Sequence, residues 1–231
     1  MPSSRWNAQG NVYLVVVDDE LTPERVRGLV GDADGIVEVL ASCERSVDVA
    51  IWNVDGSRAE MSGNGTRIAA AWLAERTGAR EVTVRVGPRE VRARMLEGSL
   101  VEQDLGEVRV GEPEEVAGVR LVPVDVGNPH AVVAGDPADL PRLGPLLEKH
   151  ERFPQRTNVQ VARVVEPGVV EARVWERGVG ETASSGSSAV AVVAALAASP
   201  ATVRFPGGDL HVRMEDGHAY LTGPAVRADA G

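Results

Sequence analysis

The stretch Trp175–Ala198, WERGVGETASSGSSAVAVVAALAA, joins a glycine-punctuated turn to an unbroken run of small apolar residues. The run predicts a helix that begins among four serines, Ser184, Ser185, Ser187 and Ser188. The first turn of a helix leaves four backbone N–H groups without partners and carries the positive end of the helix dipole, so it can bind a carboxylate or a phosphate. A serine-capped helix that simply enters a core is the alternative interpretation of this stretch.

The chain contains this construction twice. Trp52–Trp72, WNVDGSRAEMSGNGTRIAAAW, aligns without a gap on Trp175–Ala195, and Ser62 falls opposite Ser185. Two matched helix N termini predict two related halves, 1–111 and 112–221, with a cleft in which both termini face one anionic ligand. We interpret the acidic segment Glu112–Glu115 as a solvated linker.

Composition excludes several classes of function. The chain has 231 residues and a formal net charge of -10, which argues against nucleic acid or an anionic membrane surface as the main partner. The apolar run Val12–Val17 is too short for a signal peptide or a membrane span, so we expect a cytoplasmic protein.

Cys43 is the only cysteine and the four histidines have no ligand spacing, so we expect no metal site. Lys149 is the only lysine, which disfavours Schiff-base chemistry, and we expect no cofactor.

Turn and periodicity signals predict an α+β, mixed α/β fold. Helices are predicted at Pro23–Val30 with Thr22 as its cap, at Thr66–Arg76 before Gly78, at Asp139–His150, and in the central stretch. Short β-rich runs fill the remainder. Many short strands beside few helices favour an antiparallel or mixed sheet wrapped on helices over alternating βαβ units.

Taken in order, the motifs resemble those of the diaminopimelate epimerases, cofactor-independent enzymes that invert one α-carbon of diaminopimelate. The resemblance covers almost the whole chain. Five of the six asparagines lie inside its motifs, and Asn7 does not. The matching segments are Gly10-Asn11, Ala33-Asp34-Gly35, Asn53–Ser57, Glu60–Gly65 with Arg67, Gly127–His130, Arg152–Pro154 with Asn158, Glu176–Thr182, Pro206–Gly208 and Thr222–Ala225.

The resemblance implies two similar halves, each a β-barrel-like sheet around one long helix, with substrate enclosed in the cleft. The final strand, about 222–231, would return to the N-terminal half, and the protein would form a homodimer. Glu176 and Arg177 would grip the distal amino-acid end of a diaminopimelate-like substrate, while His130 and Glu176 would lie near the chemistry. The remaining substrate contacts implied by the resemblance are Asn11, Asn53, Asn64, Asn128 and Asn158, with Gly63, Asn64, Gly186 and Ser187 offering backbone N–H groups to the α-carboxylate.

The chain departs from the family at its two reactive positions. Family members carry a cysteine in each motif, one thiolate removing the α-proton and the other thiol delivering a proton to the opposite face, and here these positions are Ser62 and Ser185. A serine hydroxyl is far less acidic than a thiol, so a bare serine pair is a poor replacement. Three explanations follow: natural divergence, engineering to trap substrate, or activation of the serines by a neighbour such as His130 or Glu60. Drift at other motif positions, including Val12 and Ser188, favours natural divergence.

Three functions compete on this basis. The first is an isomerase that transfers protons at the α-carbon of diaminopimelate or a related amino acid. The second is a proline-racemase-like dehydratase with a single base, which the asparagine set and the Glu176-Arg177 pair disfavour because they suit a substrate with a second amino-acid end. The third is an amino-acid-binding protein without turnover, which the paired serines favour.

Overall fold

The structure is a computed structural model that describes residues 3–17, 20–59 and 61–228. It confirms the mixed α/β fold class, with short strands and few helices. The chain forms two compact units: unit 1 comprises Met1–Asp104 and Thr222–Gly231, and unit 2 comprises Leu105–Leu221. Helices α1 and α2 belong to unit 1, and helices α3 and α4 belong to unit 2.

The elements follow one another in an order that is nearly the same in the two units. Up to the start of unit 2 they are β1 Ser3–Ala8, β2 Asn11–Val17, α1 Pro23–Leu29, β3 Gly35–Ser42, β4 Ser46–Asn53, β5 Arg58–Ala59, α2 Gly63–Thr77, β6 Glu81–Val86, β7 Arg89–Met95 and β8 Leu100–Glu107. They continue as β9 Arg109–Val110, β10 Glu114–Val116, β11 Val119–Asp125, β12 Pro129–Ala134, α3 Leu140–Glu148, β13 Asn158–Glu166, β14 Val169–Glu176, β15 Gly180–Thr182, α4 Gly186–Ala195, β16 Ala201–Phe205, β17 Gly208–Glu215, β18 His218–Pro224 and β19 Val226–Ala228.

Strand pairing repeats between the units. In unit 1, β2 pairs with β3 in parallel, β3 with β4 antiparallel and β4 with β6 in parallel. In unit 2, β12–β13, β13–β14 and β14–β16 pair with the same three orientations. Strands β3 and β13 begin at Gly35 and Asn158, and helices α2 and α4 begin at Gly63 and Gly186, so both pairs are 123 positions apart. The internal repeat seen in the sequence is therefore a repeat of topology.

Each unit packs its strands around one helix made of small apolar residues. In unit 1, Ile68, Ala69 and Leu73 of α2 are at most 2% exposed and lie in a core with strand valines. In unit 2, Ala189–Val193 of α4 are fully buried in the equivalent position. Small side chains let strands approach the helix closely, and apolar burial of this kind is the main driving force for folding.

A second, shorter helix in each unit packs on a different set of strand side chains. Val26 of α1 is buried with Ile36 and Trp52, and Leu143 of α3 is buried with Val159. The predicted cap is present, because Thr22 Oγ1 accepts a hydrogen bond from the Arg25 N–H at 3.4 Å. In each unit, the strands therefore pack against two helices, each through its own set of apolar side chains.

Two strands differ from the sequence-based interpretation. Ser3–Ala8 is a strand that pairs with both β2 and β19, although its polar sequence gave no alternation signal. The acidic segment interpreted as a linker contributes Glu114 to β10, where its carboxylate lies 2.9 Å from the Arg152 guanidinium. Both strands belong to tight hairpins, β1 with β2 and β10 with β11, and β1 also pairs with the distant strand β19. Strand pairing therefore sets these segments more than their own polar sequences do. Within the described residues, no helix has the length and apolar character needed to cross a membrane.

Candidate active site

Ser62 is the N-cap of helix α2. Its Oγ accepts a hydrogen bond from the Gly65 N–H at 3.1 Å, and its carbonyl accepts one from the Thr66 N–H at 2.9 Å. The caps leave the Gly63 and Asn64 N–H groups at the positive end of the helix, where an anion is favoured. Ser62 is only half-buried, so its hydroxyl is within reach of a ligand.

A tyrosine and a buried arginine accompany this serine. The Tyr13 hydroxyl lies 3.2 Å from Ser62 Oγ, within hydrogen-bond distance. Arg67, one turn into α2, is 0% exposed and donates from Nη2 to Asn64 Oδ1 at 2.6 Å. Burial lowers the pKa of Arg67 to about 10, and the Tyr13 phenol acts in the opposite sense. The guanidinium still carries its charge at neutral pH.

Ser185 is the matching N-cap of helix α4 and is 7% exposed. Its carbonyl accepts a hydrogen bond from the Ala189 N–H at 3.0 Å, but its side chain makes no capping hydrogen bond. The Gly186 and Ser187 N–H groups therefore lie at the positive end of α4 as their counterparts do in α2. The two serines thus occupy corresponding places with different surroundings.

His130 is held by amide side chains. It is 1% exposed, its Nε2 lies 3.0 Å from Asn128 Oδ1, and the Gln160 Nε2 donates to its Nδ1 at 3.0 Å. Burial lowers the pKa of His130 to about 3, and the Arg177 charge acts in the same direction. The ring is therefore neutral at physiological pH and donates from Nε2 to Asn128. Among the described residues, no hydrogen bond joins it to either serine, so it orients Asn128 in this structure.

Asn158 links the segment after His130 to the Glu176-Arg177 pair. Its amide nitrogen donates to the Pro129 carbonyl at 2.9 Å, and its Oδ1 accepts from the Arg177 N–H at 3.0 Å. Glu176 accepts a hydrogen bond from the Thr182 hydroxyl at 2.6 Å. Removal from water raises the pKa of Glu176, and the Thr182 hydrogen bond only partly offsets this. Unit 2 therefore gathers four of the sequence-predicted positions, Asn128, Asn158, Glu176 and Arg177, in one hydrogen-bonded region.

The asparagines of unit 1 are in or next to turns. Asn53 is exposed and donates to Ser57 Oγ at 2.9 Å across the turn between β4 and β5. Asn11 opens β2, and its amide nitrogen lies 3.5 Å from the Gln9 carbonyl. Asn64 is 7% exposed, and its oxygen is used by Arg67. Asn53 and Asn64 are thus held by neighbouring side chains, and Asn11 lies near the backbone of the preceding turn.

Sequence reasoning missed two residues of the site and left a third without a role. Tyr13 is two residues after Asn11, and Gln160 is a fully buried amide that also donates to Ser188 Oγ at 3.0 Å. A polar residue inside an otherwise apolar strand was the available signal for Gln160. Arg67 was recognised as a motif position, but its burial was not expected. Glu60, suggested as a possible activator, lies outside the described residues.

No metal-binding group is found in the part of the chain that the structure describes, where no three His, Cys, Asp or Glu side chains gather suitably. Each unit by itself has a helix N terminus with a serine at the N-cap, Ser62 in unit 1 and Ser185 in unit 2. A helix N terminus of this kind can bind a carboxylate, and unit 2 also holds the Glu176 carboxylate, which can exchange a proton.

Solved structures place the fold in a known class. The chain superposes on a predicted epimerase from Pseudomonas aeruginosa with a TM-score of 0.77, 18% identity, and coverage of 98% of this chain and 96% of that one. A hydroxyproline epimerase from Agrobacterium vitis gives a TM-score of 0.71 at 14% identity over 98% of this chain and 90% of that one. The fold is therefore the one shared by epimerases, phenazine biosynthesis PhzF proteins and proline racemases.

Comparison of the amino-acid sequence with known families identifies one family within this fold class. The family described as diaminopimelate epimerase matches residues 122–228. The diaminopimelate epimerase of Synechococcus elongatus is 34% identical over 99% of this chain and 96% of its own length. That of Pelotomaculum thermopropionicum is 35% identical over 100% and 98%. The chain belongs to the diaminopimelate epimerase family, and the resemblance seen in its motifs is confirmed.

Proposed function

We propose that this protein is a cofactor-independent epimerase that removes and returns the α-proton of diaminopimelate or a closely related amino acid. The observation that carries the proposal is the pair of serine-capped helix N termini at matching places in two topologically equal units. Membership of the diaminopimelate epimerase family supports the proposal.

Inversion requires two proton-handling groups on opposite faces of the α-carbon, and we assign them to Ser62 and Ser185. When the Cα–H bond breaks, the electron pair is delocalised into the α-carboxylate, whose negative charge grows. The N–H groups of Gly63, Asn64, Gly186 and Ser187 are suited to stabilise that charge without a cofactor. The carbanion then takes a proton from the group on the opposite face.

In this proposal, side chains of unit 2 bind the distal end of the substrate. Arg177 offers a cation, Glu176 a carboxylate, and Asn158 fixes the Arg177 backbone at 3.0 Å. A cation and a carboxylate side by side match the carboxylate and ammonium of a second amino-acid group. The proposal therefore favours a substrate with two amino-acid ends over proline, whose ring lacks the second end.

Calorimetry with LL-diaminopimelate, meso-diaminopimelate and proline tests the substrate class. Saturable binding of a diaminopimelate isomer with no binding of proline supports the proposal, and preference for proline contradicts it. Glu176→Gln serves as the site variant and is expected to weaken diaminopimelate binding. Glu171→Gln is the matched control, because Glu171 is on the same strand as Glu176 and forms only an exposed ion pair with Arg163 of the neighbouring strand β13.

Reversion of the serines tests the reaction. The double change Ser62→Cys with Ser185→Cys places a thiol, with its lower pKa, at each helix N terminus, and we expect epimerisation of LL- to meso-diaminopimelate to rise about 100-fold. No rise, with substrate still bound, would mean that proton transfer at these positions is not the function of the protein.

A binding protein without turnover is the second candidate. It is favoured by Ser185, whose side chain makes no capping hydrogen bond and has no described contact with a base. This candidate predicts diaminopimelate affinity without any α-proton exchange. A dehydratase would instead release water from a β-hydroxy amino acid, and proton NMR of such an amino acid with the protein would detect this by loss of its β-proton signal.

A further inference from the structure

The two units have different side chains at one equivalent strand position, Tyr13 in unit 1 and His130 in unit 2. In unit 1 the sheet register sets Tyr13 opposite Gly35, and in unit 2 it sets His130 opposite Asn158. Tyr13 and His130 are therefore equivalent positions. The Tyr13 hydroxyl contacts Ser62 Oγ at 3.2 Å, whereas His130 is bound to Asn128 and Gln160.

The Tyr13 ring occupies space that is open because Gly35 has no side chain. A Cβ on Gly35 would come within 2.7 Å of Tyr13 Cε1 and within 2.7 Å of the Trp52 carbonyl oxygen. Glycine at this position therefore leaves the space that the phenol ring fills. Any larger residue would displace the ring or the strand, so the contact with Ser62 depends on a local fit.

A buried charge lies on the same helix. Arg67 is 0% exposed, and within the described residues its Nε and Nη1 have no hydrogen-bond partner. A buried guanidinium with unpartnered nitrogens is costly unless an anion compensates it. Tyr13 contacts Ser62, the N-cap of the same helix, at 3.2 Å, and its phenolate form would be an anion able to compensate the buried charge.

Resting on the proposed function, we propose that Tyr13, as a phenolate stabilised by buried Arg67, is the proton acceptor behind Ser62. When the substrate presents its α-proton to this face, the Cα–H bond breaks and the proton passes to Ser62 Oγ. The Ser62 hydroxyl proton passes at the same time to the Tyr13 oxygen, forming a neutral phenol. The electron pair stays on the substrate, and the reverse transfer returns the proton.

This relay answers the difficulty posed by the serines. A phenol has an ordinary pKa of about 10, close to that of a thiol, whereas an isolated serine hydroxyl does not ionise appreciably in water. Ser62 then serves as a proton conduit, and Tyr13 supplies the basicity. Unit 2 has His130 at the matching position, so the two faces are unequal and exchange is expected to be faster for the isomer whose α-proton faces Ser62.

Several other charged side chains on the described elements beside Tyr13 have partners of their own. Arg5 on β1 pairs with exposed Asp32, Asp34 accepts the Val12 N–H, and the Glu38 carboxylate accepts the Leu21 N–H and the Trp52 indole N–H. Arg67, in contrast, is buried, and two of its nitrogens have no hydrogen-bond partner among the residues that the structure describes.

Ultraviolet titration of tyrosinate tests the ionisation directly, because the chain has only two tyrosines, Tyr13 and Tyr220. Tyr13→Phe and Tyr220→Phe each leave one signal. We expect Tyr13 to ionise at lower pH than N-acetyltyrosinamide and Arg67→Gln, if folded by circular dichroism, to move the midpoint upward. A Tyr13 midpoint at or above that of the free amide overturns the proposal, and this result stands without the arginine variant.

Deuterium exchange at the substrate α-carbon tests the role. Tyr13→Phe is expected to slow exchange at least about 100-fold with KM unchanged, and Tyr220→Phe, outside the site, is expected to leave it as in the wild type. Equal exchange in wild type and Tyr13→Phe overturns the relay while the proposed function stands. Absence of exchange in the wild type with diaminopimelate bound overturns both.

Discussion

Replacing Gly144 by alanine should disturb the site through Trp175, which precedes Glu176 and Arg177. A Cβ on Gly144 of helix α3 would meet the Trp175 Cγ at 2.7 Å and its Cβ and Cδ2 at 2.8 Å. These atoms belong to the root of the indole and cannot swing away as a flexible chain end could. The other side of the ring is fixed too, since the Trp175 Nε1 donates to Glu148 Oε2 at 3.0 Å.

The size of the effect follows from three contributions. Overpacking a well-filled core costs about 1–3 kcal/mol. Weakening a hydrogen bond to a charged acceptor adds part of its usual contribution of about 1.5–3 kcal/mol. Replacing glycine by alanine inside a helix returns about 1 kcal/mol of intrinsic helix stability. We expect the free energy of unfolding to fall by about 1–3 kcal/mol.

Gly28→Ala in helix α1 provides the matched control. A Cβ at Gly28 would have nothing within 4 Å, so only the helix contribution remains and stability should rise by about 0.5–1 kcal/mol. Urea denaturation followed by circular dichroism measures both, and calorimetry shows whether Gly144→Ala also weakens diaminopimelate binding. A Gly144→Ala protein as stable as Gly28→Ala would refute the packing argument.

Three further predictions concern titratable side chains. Burial raises the pKa of Glu148, but the Trp175 N–H, the Gly178 N–H and nearby cations outweigh it and hold the pKa below its ordinary value. Glu148→Gln should therefore lower the melting temperature at pH 7, and the difference from wild type should disappear in acid as the pH falls through the folded-state pKa of Glu148. Desolvation raises the pKa of Glu176 against the Thr182 hydrogen bond, so the ionised carboxylate destabilises the fold above that pKa; Glu176→Gln should melt higher than wild type at pH 7, and this gain should shrink in acid. His130, whose pKa burial lowers to about 3, should show ring NMR signals that do not move between about pH 5 and pH 8, and a titration in that range would contradict its buried, neutral state.

Much of the fold could be predicted because its signals are local. Capping residues, helix periodicity and glycine stops lie within a few positions of one another, so Thr22 and Gly78 mark helix ends that the structure reproduces. Helix α2 begins at Gly63, three residues before the predicted start at Thr66. The repeat between the two helix stretches was also readable, since it preserves spacing. Strand β1 was not, because its own sequence is polar and it pairs with the distant strand β19 as well as with the next strand, β2.

For the site, the sequence predicts candidate residues but not the contacts between them. The motifs indicated Ser62, Ser185 and the asparagines, but the contact from Tyr13 to Ser62 joins residues 49 positions apart. Gln160 and His130 are 30 positions apart. The burial of Arg67 opposes the usual preference of its side chain for water, so no pattern of residue types could indicate it. Which polar groups meet is decided by tertiary packing.

Proton NMR of the wild-type protein with LL-diaminopimelate in deuterated water tests the central claim most directly. The account predicts loss of the α-proton signal with appearance of the meso isomer, catalysed by a protein that has serine at both positions. Saturable binding with an undiminished α-proton signal would contradict it and would identify an amino-acid-binding protein built on an epimerase fold.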